Sequence, residues 1–381
     1  MGSAKMPISR VAISRLVLYP PVQARPEIAD LRPYQPGKPA SALRRELRLD
    51  RIVKLGSNEG PRGPFPAAVE ALAAAVPGLN RYPEGGAELV ERLAYRHGLA
   101  SDRVAPGNGA DAVIANLALA YLRPGDEVLM GWPSFVSYRL SAVKMGATPV
   151  PVPLRDGRYD LEAMAAAVTA ATRIAYVCSP NNPTGAIVPG DALARFLDAV
   201  PERVLVVIDS AYHEYVTDPG HVDAIGAHAG RPNVVVLRTF SKIYGLAGLR
   251  IGYGVAPAPV VAELGKVRGP FDVSELAQVA AVASLDDEAE LERRRSENEG
   301  ERRRLEAELA ARGVHLYPAA ANFVCAEVGD GAALAARLER EGVIVRPLAS
   351  FGAPSCVRVT VGLRDENDAF LTALDRSLQP A

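Results

Sequence analysis

The stretch Leu237-Arg238-Thr239-Phe240-Ser241-Lys242-Ile243-Tyr244-Gly245-Leu246-Ala247-Gly248-Leu249-Arg250 decides the reading of this chain. An apolar run at 234–237 leads into it, and another at 251–255 follows it. Both read as buried strands, so Lys242 falls in a loop at a sheet edge, flanked by hydroxyl residues and glycine. Three kinds of group in that loop suit a phosphate: the hydroxyls of Thr239 and Ser241, the loop amides, and the fixed cationic fork of Arg250. A lysine beside such an anchor can form an imine with an aldehyde held there. The plain alternative is a solvated lysine in a Ser/Gly loop, and the segment by itself leaves both readings open.

Working outward, 126–130, 148–152, 174–178 and 204–208 also read as buried strands, and 111–122, 161–171 and 191–200 as Ala-rich helices. Strand–helix alternation from about 60 to 260 predicts a mostly parallel α/β sheet, which binds ligands beyond the carboxyl ends of its strands. Residues 286–312 are highly charged, with Leu291, Leu305 and Leu309 at helical spacing, and predict a long solvated helix between two domains. Strands at 323–326, 343–346 and 356–361, with helices at 331–341 and 366–378, make a small α/β domain. The first 50 residues, rich in proline and arginine, read as an extended arm with a short helix at 41–49. A length of 381 residues fits two domains.

Three other segments fall at strand ends. Cys178-Ser179-Pro180-Asn181-Asn182-Pro183-Thr184-Gly185 is either a tight connection or a turn presenting the Asn182 amide to a ligand oxygen. Leu205-Val206-Val207-Ile208-Asp209-Ser210-Ala211-Tyr212 ends an apolar strand on a carboxylate. Asp209 reads as a helix N-cap or as the partner of a pyridinium nitrogen, which keeps such a ring a strong electron sink. Pro106-Gly107-Asn108-Gly109-Ala110-Asp111 opens a helix with a Gly-rich turn whose amides suit a phosphate.

Composition bounds the function. With 43 basic against 44 acidic residues, the chain has no general pull toward nucleic acid or an anionic membrane. Cys178, Cys325 and Cys356 lie far apart and the five histidines are scattered, so neither a disulfide framework nor a metal site is expected. No apolar run reaches the roughly 18 residues of a membrane span, and the first ten residues lack a secretory pattern. A soluble cytoplasmic protein is the expectation.

Together with Leu55-Gly56-Ser57-Asn58-Glu59, Arg81-Tyr82-Pro83, Ala321-Asn322-Phe323 and Val357-Arg358-Val359-Thr360-Val361-Gly362, these segments resemble the fold-type I pyridoxal-phosphate (PLP) aminotransferases. The resemblance runs from about Tyr34 to Leu378 and is strongest to the histidinol-phosphate aminotransferase branch. Gly131-Trp132-Pro133-Ser134-Phe135 and Leu193-Ala194-Arg195-Phe196 also resemble actinobacterial-type aromatic amino acid aminotransferases. The implied architecture is a large PLP-binding domain (56–285) with a mostly parallel seven-stranded sheet. A small α/β domain (286–381) follows, to which part of an N-terminal arm (1–55) belongs.

By motif, the resemblance implies that Lys242 carries PLP as a Schiff base and then moves the proton. Asp209 would pair with the ring nitrogen, Tyr212 and Asn182 would bind the phenolic oxygen, and Phe135 would stack on the ring. Ala110, Asp111, Thr239, Ser241 and Arg250 would hold the phosphate. Arg358 resembles the substrate-carboxylate arginine, and Arg346 and Tyr34 would lie at the substrate's distal end; a plain strand-end charge is the other reading of Arg346. Two departures stand out. Arg62 occupies a position that is aromatic in the family and reaches the neighbouring subunit's cofactor phosphate, so it would bind either cofactor or substrate. Asp209-Ser210-Ala211-Tyr212 lacks the family's second carboxylate, and His213 after it reads as a polar helix residue.

The implied reaction is histidinol phosphate plus 2-oxoglutarate to imidazole acetol phosphate plus glutamate, in a homodimer with Tyr34 and Arg62 acting across the interface. Alternatives are an aromatic (phenylalanine/tyrosine) aminotransferase, a specialised-metabolism transaminase, a PLP decarboxylase on the same scaffold, and a non-enzymatic module retaining the fold.

Overall fold

The computed structural model describes residue 22, residues 24–29, residue 31 and residues 39–378. Its strands, in chain order, are β1 (Val53–Lys54), β2 (Val104–Gly107), β3 (Glu127–Trp132), β4 (Thr148–Pro153), β5 (Thr172–Cys178), β6 (Leu205–Asp209), β7 (Val234–Thr239), β8 (Gly252–Val255), β9 (His315–Leu316), β10 (Phe323–Glu327), β11 (Val343–Ile344), β12 (Arg346–Pro347) and β13 (Cys356–Thr360). The large sheet has seven strands in the order β2-β8-β7-β6-β5-β3-β4. It is parallel from β4 to β7, while β8 runs antiparallel to both its neighbours. The central strands are buried along nearly their whole length, Arg173 of β5 being partly exposed, as apolar runs covered on both faces require.

That topology builds one edge. Cys178 pairs with Asp209, and Asp209 with Leu237, so the ends of β5, β6 and β7 lie side by side. The reversed β8 returns the loop after Thr239 to the same edge, pairing Gly252 with Thr239 on one side and Gly107 on the other. The helix Ala110–Tyr121 starts three residues beyond β2, at that edge.

A second core gathers Val53, Leu55, Leu305, Leu309, Val324, Val357, Val359 and Phe370. The helix Glu288–Ala311 serves both cores: Leu291 packs into the first, Leu305 and Leu309 into the second. Its N-terminus is capped by Asp287, whose carboxylate accepts the Glu290 amide at 3.0 Å. Its surface carries ion pairs one turn apart, such as Arg302–Glu306 and Arg304–Glu301. The run of charge therefore reads correctly as one helix of 24 residues.

The differences from expectation have local causes. Residues 104–107 form a strand although Pro106 and Gly107 suggest a loop, because β2 is the sheet edge, where a proline's missing N–H goes unused. The helix expected over 161–171 ends at Ala166. Beyond it the Thr172 hydroxyl accepts the Thr169 amide and Arg203 binds the Thr169 carbonyl, both favouring a turn. The single strand expected over 343–346 is two. Val343–Ile344 pairs parallel with β1 and Arg346–Pro347 antiparallel with β13. The chain changes sheets at Val345, and this carries Arg346 into the cleft described next.

Leu305 is fully buried, whereas Leu119 is half exposed. Leu305→Ala is expected to lower unfolding free energy by about 2–5 kcal/mol, and Leu119→Ala by no more than ~0.5 kcal/mol. Urea unfolding followed by circular dichroism measures both, and equal effects would show that Leu305 does not anchor the second core.

Candidate active site

The carboxyl edge of the sheet opens into a cleft lined by Gly56, Ser57, Asn58, Ala110, Asp111, Phe135, Cys178, Asn182, Asp209, Tyr212, Thr239, Ser241, Lys242, Arg250, Arg346, Phe351 and Arg358. The Lys242 Nζ lies 5.3 Å from the centre of the Tyr212 ring. Burial, with the positive charge of Arg358 next in weight, lowers its pKa to about 8. Asp111 and Glu59 oppose that shift and Arg250 adds to it. A side chain of this kind is a usable nucleophile close to neutral pH.

On one side the groups make an anion cradle. Ala110 and Asp111 start their helix behind Gly109, whose φ is +78°, and the first amides of a helix have no partner within it. The Arg250 backbone is left-handed (φ 58°). Its Nη1 donates to the Ser241 hydroxyl at 3.4 Å and to the Ala247 carbonyl at 3.1 Å. The Thr239 hydroxyl accepts the Ser241 amide at 3.1 Å. A Cβ added at Gly109 would stand 2.5 Å from Arg250 Nη2, and one at Gly252 would stand 2.5 Å from the Ala110 nitrogen. Two glycines thus let the guanidinium, the helix start and β8 close around one small space.

The floor is polar and organised. Asp209 is buried; its Oδ2 accepts the Tyr138 hydroxyl at 2.6 Å and its Oδ1 the Ala211 amide at 3.1 Å. Burial raises its pKa, and those two donors counteract the rise. The Tyr212 hydroxyl accepts Asn58 Nδ2 at 2.9 Å, and burial holds that phenol well above its ordinary pKa. Asn58 is itself pinned, its amide donating to the Thr360 hydroxyl at 2.9 Å and its carbonyl accepting Asn322 Nδ2 at 3.1 Å.

Opposite lies a cationic pair. Arg346 and Arg358 face each other across β12 and β13, and both are buried. Phe351 lies between them, 5.7 Å from the Arg346 guanidinium carbon and 5.6 Å from that of Arg358. Arg358 also packs over Phe323 at 5.4 Å, donates to Asn182 Oδ1, and donates to the Gly56 carbonyl at 3.0 Å. Cation–π contact with Phe351 places both forks, and the Asn182 and Gly56 oxygens fix that of Arg358.

Of the residues singled out from sequence, twelve line this cleft: Ala110, Asp111, Phe135, Asn182, Asp209, Tyr212, Thr239, Ser241, Lys242, Arg250, Arg346 and Arg358. Tyr34 lies outside the described residues. Arg62 does not line the cleft. Its guanidinium forks onto Glu297 at 2.7 and 2.5 Å, beside a smaller cavity shared with Tyr215 and Arg294. His213 is likewise elsewhere, in a single 3-10 turn with its Nδ1 2.9 Å from His221 Nε2. Sequence reasoning gave no role to Asn58, Tyr138 and Phe351. Tyr138 was within reach of it, since Phe135 and Tyr138 are spaced to share one face at the start of a helix. Phe351 sits in a short turn with no periodic signal. Among the described residues no cluster of three or more His, Cys, Asp or Glu could hold a metal ion, and no helix is long and apolar enough to cross a membrane.

Residues 50–374 match the family model described as aminotransferase class I and II. A histidinol-phosphate aminotransferase of Moorella thermoacetica is 44% identical over 355 residues, covering 92% of this chain and 92% of that protein. An aromatic amino acid aminotransferase of Thermobifida fusca is 47% identical over 355 residues, covering 92% of this chain and 96% of that protein. Among solved structures, the histidinol-phosphate aminotransferase of Sinorhizobium meliloti in complex with pyridoxal-5'-phosphate superposes with a TM-score of 0.85 at 28% identity. That match covers 96% of this chain and 99% of the other.

Because a protonated amine does not attack a carbonyl, capture of a small aromatic aldehyde at Lys242 should rise through about pH 8. Borohydride trapping at a series of pH values, with peptide mapping, reads the midpoint. A midpoint near the ordinary lysine value would show that the cleft does not depress this amine.

Proposed function

The chain belongs to the class I and II aminotransferases, and from that premise we propose that it moves the amino group of histidinol phosphate to 2-oxoglutarate. It is an enzyme that uses pyridoxal 5'-phosphate. The residues present fit that group. The cradle of Gly109, Ala110, Asp111, Thr239, Ser241 and Arg250 suits its phosphate, and the two glycines leave there the space that a Cβ would fill. In the same cleft Asp209 would offer a buried carboxylate to the ring nitrogen, Asn182 and Tyr212 would bind the phenolic oxygen, and Phe135 would cover the ring. When bound, the cofactor supplies an electron sink for the bond broken beside the amino nitrogen.

The protein's own share is positioning and proton transfer. The Lys242 amine, uncharged above about pH 8, is the group that would hold the cofactor's aldehyde and would serve as the acid and base that moves the substrate's proton. Two fixed donors counteract the effect of burial on Asp209, which would then pair with the ring nitrogen. Arg358 receives a carboxylate in a planar, bidentate geometry. The observation that carries the substrate reading is the Arg346–Arg358 pair on Phe351: two guanidinium forks in one cleft suit the doubly charged donor and the dicarboxylate acceptor in turn. The same cleft would also serve an aromatic amino acid, as the Thermobifida relative's name suggests.

A donor panel with 2-oxoglutarate tests this. We expect kcat/KM for histidinol phosphate to exceed that for phenylalanine and tyrosine by at least about tenfold, and Arg346→Ala to erase that preference. A preference for the aromatic amino acids would replace the histidinol-phosphate reading, and carbon dioxide release without the acceptor would replace transamination. Lys242→Ala should lose the cofactor's visible absorbance together with turnover.

We also propose a homodimer with Arg62, braced by Glu297, and Tyr34 acting across the interface. Light scattering is expected to give twice the chain mass. A fully active monomer would exclude the arrangement.

A further inference from the structure

We propose that Tyr138 is a positioning residue that sets both the charge of Asp209 and the seat of Phe135, a proposal that rests on reading Asp209 as the partner of the cofactor's ring nitrogen. Tyr138 lies in the first turn of the helix Val136–Lys144 and is fully buried. Its ring stacks on Tyr176, with centroids 4.3 Å apart and planes at 10°. Phe135 meets the same ring edge-on at 5.7 Å and 81°. The hydroxyl donates to Asp209 Oδ2 at 2.6 Å. One side chain therefore touches the group under the ring nitrogen and the group over the ring face.

The direction of that hydrogen bond follows from the surroundings. Burial beside Asp209 pushes the Tyr138 phenol well above its ordinary pKa, so it remains a donor. The other titratable groups facing Asp209 are Cys178 and Tyr176 from β5, Tyr159 from the loop before the helix Leu161–Ala166, and Tyr212 from the turn after β6; each has its pKa raised by burial and stays neutral. Lys242 and Asp111 act on Asp209 through space with opposite signs. Tyr138 is thus the side-chain donor on the carboxylate, the Ala211 amide being the backbone one. With both bonds made, the negative charge is spread and the shared proton stays on the ring nitrogen. Without the Tyr138 bond, Asp209 holds that proton more tightly and the ring withdraws fewer electrons.

Tyr138→Phe keeps the ring stack and removes only the donor. In the holoenzyme it should move the pH midpoint of the cofactor's visible absorbance, measured without substrate, upward by about half a pH unit or more. It should also lower kcat about tenfold, with KM changed less than about twofold. Tyr138→His, which restores an N–H donor, should recover part of both. Tyr176→Phe is the control, because among the described residues the Tyr176 hydroxyl has no hydrogen-bond partner; it should match the wild type. Wild-type midpoint and kcat in Tyr138→Phe would overturn the proposal, as would an equal change in Tyr176→Phe. A wild-type protein that takes up cofactor and turns over, with a midpoint indifferent to Asp209→Asn, would instead refute the reading of Asp209 and this inference with it.

Discussion

The cleft depends on the register of three parallel strands. Because β5, β6 and β7 pair with Cys178 beside Asp209 and Asp209 beside Leu237, their ends form one level edge. Their middles are apolar, and Asp209 and Thr239 lie at the carboxyl ends of β6 and β7. The reversed β8 closes it by returning Arg250 and Gly252 beside Thr239. A slip of one residue in any of these pairings would turn Asp209 to the opposite face of the sheet. The hydrophobic packing of the sheet is therefore also what aims the carboxylate.

A second constraint joins the two cores through buried polar contacts. Asn58 links Tyr212 to Thr360 and Asn322, while Arg358 links β13 to Gly56 and Asn182. Each such contact satisfies a group that would cost about 1–3 kcal/mol if left buried and unpaired. The helix Glu288–Ala311 adds a further connection, with Arg294 donating to the Gly63 and Ile243 carbonyls. The cleft's two halves are consequently held in one geometry, and the cationic pair stays at a set position relative to Lys242.

Much of this was legible beforehand. The alternation of buried strands and Ala-rich helices, the loop bearing Lys242, and the strand-end carboxylate Asp209 follow from period and turn chemistry alone. The helix 288–311 was legible because its leucines keep helical spacing within a run of charge. Less legible was the edge strand β2, where Pro106 and Gly107 argue for a loop and only the absence of an outer neighbour permits a strand. The break at Val345 was hidden too, since the two halves of one apolar run pair with different sheets. Arg62 shows the same limit: its departure from an aromatic residue was visible, but its ion pair with Glu297, 235 residues away, was not.

The sequence by itself determined the class of fold and put Lys242 and its companions at strand ends, because placement rests on local spacing: a period of two or 3.6 residues, a glycine-rich turn, a carboxylate where an apolar run stops; their roles came from the resemblance to a family. The tertiary structure decided what those groups are like. The lowered pKa of Lys242, the Tyr138 donor under Asp209 and the Asn58 contact on Tyr212 join residues distant in the chain, and the stacking of Arg346 and Arg358 on Phe351 needs β12 paired back onto β13. Desolvation and hydrogen-bond geometry are properties of a packed environment, and no window of sequence contains that environment.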